Sequence, residues 1–199
     1  MLKQARVLAL GAVVGLTAVA AKAQAVLFSE PFSYPDGFVT SEFNNNNANW
    51  DMNSGTLYAS SGRGWTGVPS PSNNSVIFRM DSRRSDFQDV AVTFRLMRNG
   101  FTTSGNTPAK DFDGVHVWLR YASEQSLYVL SVNRRDGDVV IKKKVPGGGS
   151  NGGTYYSLTP EIYRPYAAGT WQNVKASAQN NVNGSVTLKL YVNGALLAS

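Results

Sequence analysis

One stretch of the chain carries groups with binding chemistry at every second position. They are an imidazole, an indole and a guanidinium, from His116, Trp118 and Arg120. The positions beside them are apolar: Val115, Val117, Leu119 and Tyr121. Because successive side chains of a strand point to opposite faces of its sheet, this alternation predicts a strand with a core face and a mixed face. An aromatic ring beside hydrogen-bond donors is typical of a surface that binds a polar ligand.

Two further strands should extend this sheet. Residues 127 to 133 and 139 to 145 are rich in apolar side chains, and Asp136-Gly137 between them is a strong hairpin signal. We expect two-residue turns centred on Glu124-Gln125 and on Asp136-Gly137. Residues 111 to 145 therefore predict three antiparallel strands.

These turns determine which residues pair and which face each side chain occupies. The expected pairs are Tyr121 with Tyr128, Leu119 with Leu130, Val132 with Ile141 and Leu130 with Lys143. The mixed face then collects the residues that we predict to bind a ligand: His116, Trp118, Arg120, Asn133, Lys142 and Lys144. A slip of one residue in either turn would send every side chain of the affected strand to the other face.

Catalytic chemistry is harder to assemble from this sequence. Glycoside hydrolysis needs two carboxylates roughly 5 to 10 Å apart, and the glutamates are scattered among loops and strand ends: Glu30, Glu42, Glu124 and Glu161. His116, the only histidine, is the one imidazole that could abstract a proton in β-elimination from a uronate. The expected register puts Tyr128, which could assist it, on the opposite face. We therefore assign no catalytic residues.

Two aspartate pairs could contribute oxygen ligands to calcium, which takes about 6 to 8 of them. They are Asp111 with Asp113 and Asp136 with Asp138. Gly114 and Gly137 lie beside them, and aspartate next to glycine commonly shapes a turn, which is the interpretation we prefer. No cofactor is therefore assigned, and a structural calcium stays open.

Residues 1 to 23 have the pattern of a signal peptide. Lys3 and Arg6 precede an apolar run from Val7 to Ala20, and Ala21-Lys22-Ala23 has the small-x-small form that signal peptidase accepts. The uncharged run is shorter than the ~20 residues that a membrane-spanning helix needs. We therefore expect a secreted, periplasmic or cell-surface protein with no membrane insertion after signal removal.

Composition indicates one globular domain over residues 24 to 199. The chain is 42% hydrophobic and has no cysteine, so an apolar core must supply its stability. Lys3, Arg6 and Lys22 of the expected signal peptide account for half of the formal net charge of +6. The remaining excess is too small for the basic stripe of a nucleic-acid binder, so we expect no nucleic-acid partner.

Short strands and turns continue along the rest of the chain. We expect strands over residues 26–32, 50–52, 56–59, 76–80, 87–97, 171–178, 185–192 and 195–198. Within residues 87 to 97, one predicted face carries Val90, Val92, Phe94 and Leu96, and the other carries Ala91, Thr93, Arg95 and Met97. The turns are predicted at Asn53-Ser54-Gly55, Asn183-Gly184 and Asn193-Gly194. Long loops are expected over residues 60–74, 99–110 and 147–153, the last of them mobile. With no helical period after the expected signal peptide, this pattern predicts an all-β sandwich or jelly roll.

Several aromatic residues have two open interpretations. Trp65 lies in the predicted loop 60–74, where it could stack on a ligand or cover an edge of the core. A group of tyrosines could line a sugar site or close the edge of the sandwich: Tyr155, Tyr156, Tyr163 and Tyr166.

Three segments resemble a known superfamily. FSYPDGF, FDGVHVWLRYASEQSLYVLSVNRRDGDVVIKKKVPGGGSNGGTYYSL and GTWQNVKASAQNNVNGSVTLKLYVNGALL are similar to exported bacterial domains of the concanavalin A-like lectin/glucanase superfamily, which includes laminin G-like modules. The resemblance implies an antiparallel jelly-roll β-sandwich over residues 24 to 199 whose concave sheet presents a ligand, commonly a glycan. Such members continue with further strands, so it also implies that the domain extends beyond Ser199.

We therefore predict an exported, lectin-like carbohydrate-binding module. Trp118 would stack on a sugar, and the basic residues of the mixed face favour an acidic polysaccharide as the ligand. Superfamily members include glycoside hydrolases and polysaccharide lyases, so an enzyme of the same fold is one alternative. A structural or adhesive cell-surface domain is another. The sequence leaves the glycan's identity and the oligomeric state open.

Overall fold

The computed structural model describes residues 25 to 68, 78 to 103, 105 and 108 to 199. The expected signal peptide lies outside the described residues. The chain divides into two units, Met1–Glu30 and Pro31–Ser199. Residues 25 to 30, the described part of the first unit, have no regular structure. The strand predicted over residues 26 to 32 is therefore wrong: Pro31 has no N–H to donate, and Phe32 takes a positive φ of 53°.

Strands and loops make up the described part of the second unit. The strands are β1 (Gly37–Ser41), β2 (Trp50–Ala59), β3 (Gly64–Trp65), β4 (Phe78–Ser82), β5 (Val90–Met97), β6 (Val115–Ser123), β7 (Ser126–Val132), β8 (Asp138–Ser150), β9 (Gly153–Ser157), β10 (Ile162–Tyr163), β11 (Trp171–Asn180), β12 (Val186–Val192) and β13 (Ala195–Ala198). The predicted all-β class is confirmed. No helix in the described ranges has the length and apolarity needed to cross a membrane.

The strands form three sheets, and all their pairings are antiparallel. The amino-terminal sheet has the order β1-β2-β3, with β4 also paired to β2. The central sheet has the order β10-β8-β7-β6, with β9 also paired to β8. The carboxyl-terminal sheet has the order β13-β12-β11-β5.

The central and carboxyl-terminal sheets share one hydrophobic core, as the two sheets of a β-sandwich do. The central sheet contributes Leu119, Leu130, Val132, Val139 and Ile141. The carboxyl-terminal sheet contributes Val174, Ala176, Ala178, Leu188, Leu190, Val192 and Ala198. The alternation predicted for β5 is also confirmed, because these side chains pack against the core: Val90, Val92, Phe94 and Leu96.

Segments that contain glycine form strands in three places where the sequence predicted turns or loops. One is β3, which pairs with β2 inside the predicted loop over residues 60 to 74. Residues 50 to 59 are one strand, β2, rather than a hairpin, and Gly55 bends it with a φ of 73°. Residues 147 to 153 belong to a β8–β9 hairpin rather than a mobile loop. Its turn is Asn151-Gly152, with φ values of 46° and 74°, which suit a tight hairpin. Glycine at a bulge or turn does not end the pairing.

The register of the central sheet differs from the prediction by two residues on both sides of β7. Leu119 pairs with Tyr128, and Leu130 pairs with Ile141. Gly137 N–H bonds to the Arg134 carbonyl, which centres the second turn one residue earlier than predicted. Because a shift of two residues preserves the face of each side chain, the predicted faces of β7 and β8 are retained.

A bulge near the end of β6 changes the faces of two residues. Between the pairs Leu119–Tyr128 and Ser123–Ser126, three residues of β6 lie opposite Leu127 alone. Arg120 has a φ of 53° there, which interrupts the alternation. Tyr121 consequently lies beside Trp118 instead of in the core wall where the sequence predicted it.

Candidate functional site

The structure brings only some of the six predicted binding residues together. His116 and Trp118 share the outer face of the central sheet, the face that points away from the core. Arg120 turns away from it at the bulge, and Asn133 leaves it at the turn after β7. Lys142 and Lys144 stay on this face, but other parts of the chain engage both.

Arg120 joins two parts of the sandwich. Its Nη2 lies 3.3 Å from Asp89 Oδ1 and donates to Asn180 Oδ1 at 3.1 Å. Asp89 precedes β5 and Asn180 ends β11, so Arg120 connects β6 to the carboxyl-terminal sheet. The prediction that Arg120 lies on the mixed face is wrong, because the bulge reverses the direction of its side chain.

Asn133 is part of the interior. It is 3% exposed, and its Nδ2 donates to Gln172 Oε1 at 2.8 Å. Its φ of 56° suits asparagine better than most other residues. The side chain therefore holds the loop after β7 against β11 and is not presented to a ligand.

The two predicted lysines differ in their surroundings. Lys142 Nζ lies 3.1 Å from Glu161 Oε1, so its charge is already paired. Lys144 is buried, with Nζ 5.0 Å from the centroid of the Tyr155 ring. Gly153 leaves room for it, since a Cβ there would come within 2.6 Å of Lys144 Cε. Burial lowers the pKa of Lys144.

His116 occupies an exposed position on the outer face of the central sheet. Its Nδ1 lies 2.8 Å from Ser131 Oγ. Loss of hydration lowers the pKa of His116, and the nearby charge of Arg134 lowers it further. Tyr128 packs against the core, on the face opposite His116, as the sequence predicted. The two side chains therefore do not form the pair that β-elimination would need.

Trp118 is the centre of a cluster of aromatic and charged groups. The Tyr121 ring lies parallel to it, at 5.6 Å between centroids and 3° between planes. The Arg79 guanidinium, from β4, lies 5.3 Å from the indole centroid. Arg79 also forms an ion pair with Glu124, at 3.4 Å. We call the following residues the Trp118 cluster: Arg79, Trp118, Tyr121, Glu124, Lys144 and Tyr155.

Tyr121 and Tyr155 present two exposed rings at this cluster, with exposed fractions of 39% and 41%. Tyr155 pairs with Lys144, which pairs with Leu127, the residue opposite the bulge that holds Tyr121. Partial burial raises the pKa of both tyrosines, and the charges of Arg79 and Glu124 act on both. The rings therefore lie around one ion pair.

Two aspartates lie next to the cluster on the amino-terminal sheet. Asp51 of β2 is directly opposite Asp81 of β4. Asn53 Nδ2 donates to Asp81 Oδ2 at 2.5 Å. Burial raises the pKa of Asp81, the Asn53 hydrogen bond partly offsets this rise, and the charge of Asp51 adds to it. Asp81 thus accepts a proton more readily than an ordinary aspartate.

Four members of the Trp118 cluster were not among the predicted binding residues. Glu124 was assigned to a turn and considered only as one of several scattered carboxylates. Arg79 lies in a predicted strand with no signal that it would reach Trp118. Tyr121 was assigned to the core because strict alternation places it there. The bulge that moves it to the other face contains no glycine, asparagine or proline by which it could be predicted. Tyr155 belongs to the tyrosine group whose role stayed open. Tyr155, Tyr156 and Tyr163 are all exposed, whereas Tyr166 packs against the core.

Two of the four aspartates considered for calcium, Asp113 and Asp136, are paired with arginine. Asp113 accepts from Arg135 at 3.0 Å, and Asp136 pairs with Arg134. Among the described residues, no three side chains from histidine and the acidic residues lie close enough to hold a metal ion. At Asp113 and Asp136 an arginine already supplies the positive charge that calcium would bring. These residues therefore do not fit a calcium site.

Comparisons of the chain with protein-family models, with curated proteins and with solved structures found no match. The resemblance to the concanavalin A-like superfamily therefore remains a prediction from the sequence.

Proposed function

We propose that this chain is an exported glycan-binding module of the concanavalin A-like, jelly-roll type, and that the Trp118 cluster is its sugar site. The observation that carries the proposal is the pair of exposed rings, Tyr121 stacked on Trp118 and Tyr155 beside Lys144, which both lie within reach of the charges of the Arg79–Glu124 ion pair. The pattern of residues 1 to 23 supports export.

Aromatic rings beside charged groups suit the two kinds of surface that a sugar has. The C–H face of a sugar ring can pack on an aromatic face, while its hydroxyls need donors and acceptors around the edge. Tyr121 and Tyr155 offer the rings. Arg79 and Glu124, each about one-third exposed in its side chain, offer a donor and an acceptor. One small area of the surface thus supplies both kinds of contact.

The ligand at this cluster is proposed to be a neutral glycan. The sequence favoured an acidic one because Arg120, Lys142 and Lys144 seemed to share a face. In the structure Arg120 and Lys142 pair with acidic residues, and Lys144 is buried. Arg79 pairs with Glu124. The charges at the cluster therefore largely cancel.

A glycoside hydrolase is the second candidate, because a protonatable carboxyl lies near the cluster. Asp81 has a raised pKa, as a general acid needs, and Glu124 is a second carboxylate whose charge acts on it. Release of reducing ends from a glycan, lost in both Asp81→Asn and Glu124→Gln, would favour the enzyme over the binding module.

A glycan array with neutral and acidic polysaccharides tests the binding proposal. The purified chain should bind at least one neutral glycan, and Trp118→Ala should abolish that binding. Tyr156→Ala is the matched control, because Tyr156 is also exposed on β9 but belongs to its other face. Circular dichroism checks that both variants are folded. Retention of binding by a folded Trp118→Ala variant would rule out this site.

A further inference from the structure

The outer face of the carboxyl-terminal sheet carries positive charge and no acidic residue. The strands β5, β11 and β12 contain no aspartate or glutamate. Arg95, Lys175 and Lys189 alternate with core residues and therefore lie on the face turned away from the core. None of the three is within ion-pair distance of a carboxylate in the part of the chain that the structure describes. This contrasts with the predicted cations of the central sheet, since Arg120 and Lys142 are paired and Lys144 is buried.

A groove of about 650 Å³ lies on this face. The residues that border it include Thr93, Arg95, Asn173, Lys175, Tyr191 and Gly194. Arg95 is directly opposite Asn173, and Lys175 is opposite both Thr93 and Tyr191. Side chains in opposite positions of antiparallel strands have Cβ atoms about 5 Å apart. Guanidinium, amide, ammonium and hydroxyl donors therefore converge on one space.

Aromatic rings hold the two cations in place. The Arg95 guanidinium lies 4.8 Å from the centroid of Trp171, and Arg63 lies 5.3 Å from the same ring. Lys175 Nζ lies 5.7 Å from the centroid of Tyr191. A ring contact restricts a long basic side chain without neutralising its charge. The cations are thus partly ordered before a ligand arrives, which reduces the entropy lost on binding.

We propose that this groove binds an acidic polysaccharide, whose carboxylate or sulfate groups pair with Arg95 and Lys175. Asn173 and Thr93 donate to its hydroxyls, and Tyr191 packs against a sugar ring. The inference goes beyond the proposed function, because it places a second site on the other sheet of the sandwich and uses charge rather than stacking. A short groove with two central cations suits such a chain better than a duplex nucleic acid, which needs a longer basic stripe.

Salt elution from columns that carry a polyuronate or a sulfated glycan tests this site. The wild-type chain should be retained on at least one column, and the column shows which anionic group is preferred. The double variant Arg95→Gln/Lys175→Gln should bind about tenfold more weakly, the upper range for two exposed charge contacts. The control Lys110→Gln/Lys143→Gln removes the same charge from exposed positions elsewhere and should elute like the wild type.

Four outcomes would overturn the inference. In the first, neither column retains the wild type; in the second, the two double variants weaken binding equally. In the third, binding to duplex DNA or to anionic vesicles depends on Arg95 and Lys175 to the same degree as binding to the glycan. In the fourth, Trp118→Ala alone abolishes binding to the acidic glycan. The last outcome would assign the acidic ligand to the Trp118 cluster. If the acidic glycan binds in the groove, Trp118→Ala should elute from these columns like the wild type. This holds even when the array experiment finds no neutral-glycan site at the Trp118 cluster.

Discussion

Arg120 Nη2 lies 3.3 Å from Asp89 Oδ1, so a side chain that alternation assigns to the outer face of β6 reaches the carboxyl-terminal sheet instead. Replacing Arg120 by asparagine, which tolerates the positive φ, should remove this contact without straining the bulge. Because Asp89 is more than half exposed, we expect a loss of about 0.5 to 1 kcal/mol in the free energy of unfolding. Urea denaturation measures it. If the folded Arg120→Asn variant no longer bound the glycan, Arg120 would have to be counted as a residue of the sugar site.

Asn133 should matter for stability and not for binding. Asn133→Gly keeps the positive φ but leaves Gln172, which is 1% exposed, without its partner amide. An unsatisfied buried group costs about 1 to 3 kcal/mol, so the urea midpoint should fall clearly. Asn151→Gly is the control, since Asn151 also has a positive φ but is exposed in the β8–β9 turn. Similar midpoints for the two variants would contradict this account.

His116 should titrate below its ordinary pKa of 6.5. Loss of hydration and the neighbouring positive charge of Arg134 both act in this direction. As the only histidine of the chain, it can be followed by proton NMR in tag-free protein. Arg134→Gln should raise the pKa, since it removes a neighbouring positive charge. A pKa at or above 6.5 in the wild type would be inconsistent with the described surroundings.

The lowered pKa of His116 also determines how the stability of the protein changes with pH. The folded pKa is below the unfolded one, so the unfolded state takes up the proton first. The contribution of neutral His116 to stability is complete above pH 6.5 and is lost as the pH falls through the folded value. His116→Gln should therefore lose less stability than the wild type on acidification below pH 6.5.

Asp81 should affect the pH dependence of stability in the direction opposite to His116. Its folded pKa is raised, so its protonated form stabilises the fold at low pH, and this stabilisation is lost as the pH rises through the folded pKa. Asp81→Asn stays neutral and keeps an acceptor for Asn53, so it should be slightly more stable than the wild type at pH 7. The advantage should vanish below pH 3.8. Urea midpoints of Asp81→Asn and the wild type, measured between pH 3 and 7, test for this crossover.

The faces of the central sheet could be predicted because the observed register errors are of two residues. Val132 and Ile141 have other partners than expected, yet both stay in the core. The bulge at Arg120 could not be predicted, since no glycine or asparagine marks it. It removes one predicted binding residue and adds Tyr121 to the site.

In the carboxyl-terminal sheet, the faces of a strand could be predicted from the sequence but the neighbouring strand could not. The apolar side of β5 was predicted correctly, and Thr93 and Arg95 were recognised as its other side. What the sequence did not reveal is that β11 lies beside β5, so that Lys175 comes opposite Thr93. Pairing between distant segments depends on the whole fold, and local patterns carry no information about it.

The most direct test of the proposed sugar site compares two adjacent tyrosines. Tyr155 and Tyr156 are both exposed on β9, but only Tyr155 lies beside Lys144 in the Trp118 cluster. Calorimetric titration with a glycan that binds on the array should show Tyr155→Ala binding about tenfold more weakly than the wild type, which corresponds to roughly 1.4 kcal/mol, because the variant loses an aromatic face on which a sugar ring packs. Tyr156→Ala should bind like the wild type. Equal affinities for the two variants would contradict the assignment of the sugar site to the Trp118 cluster.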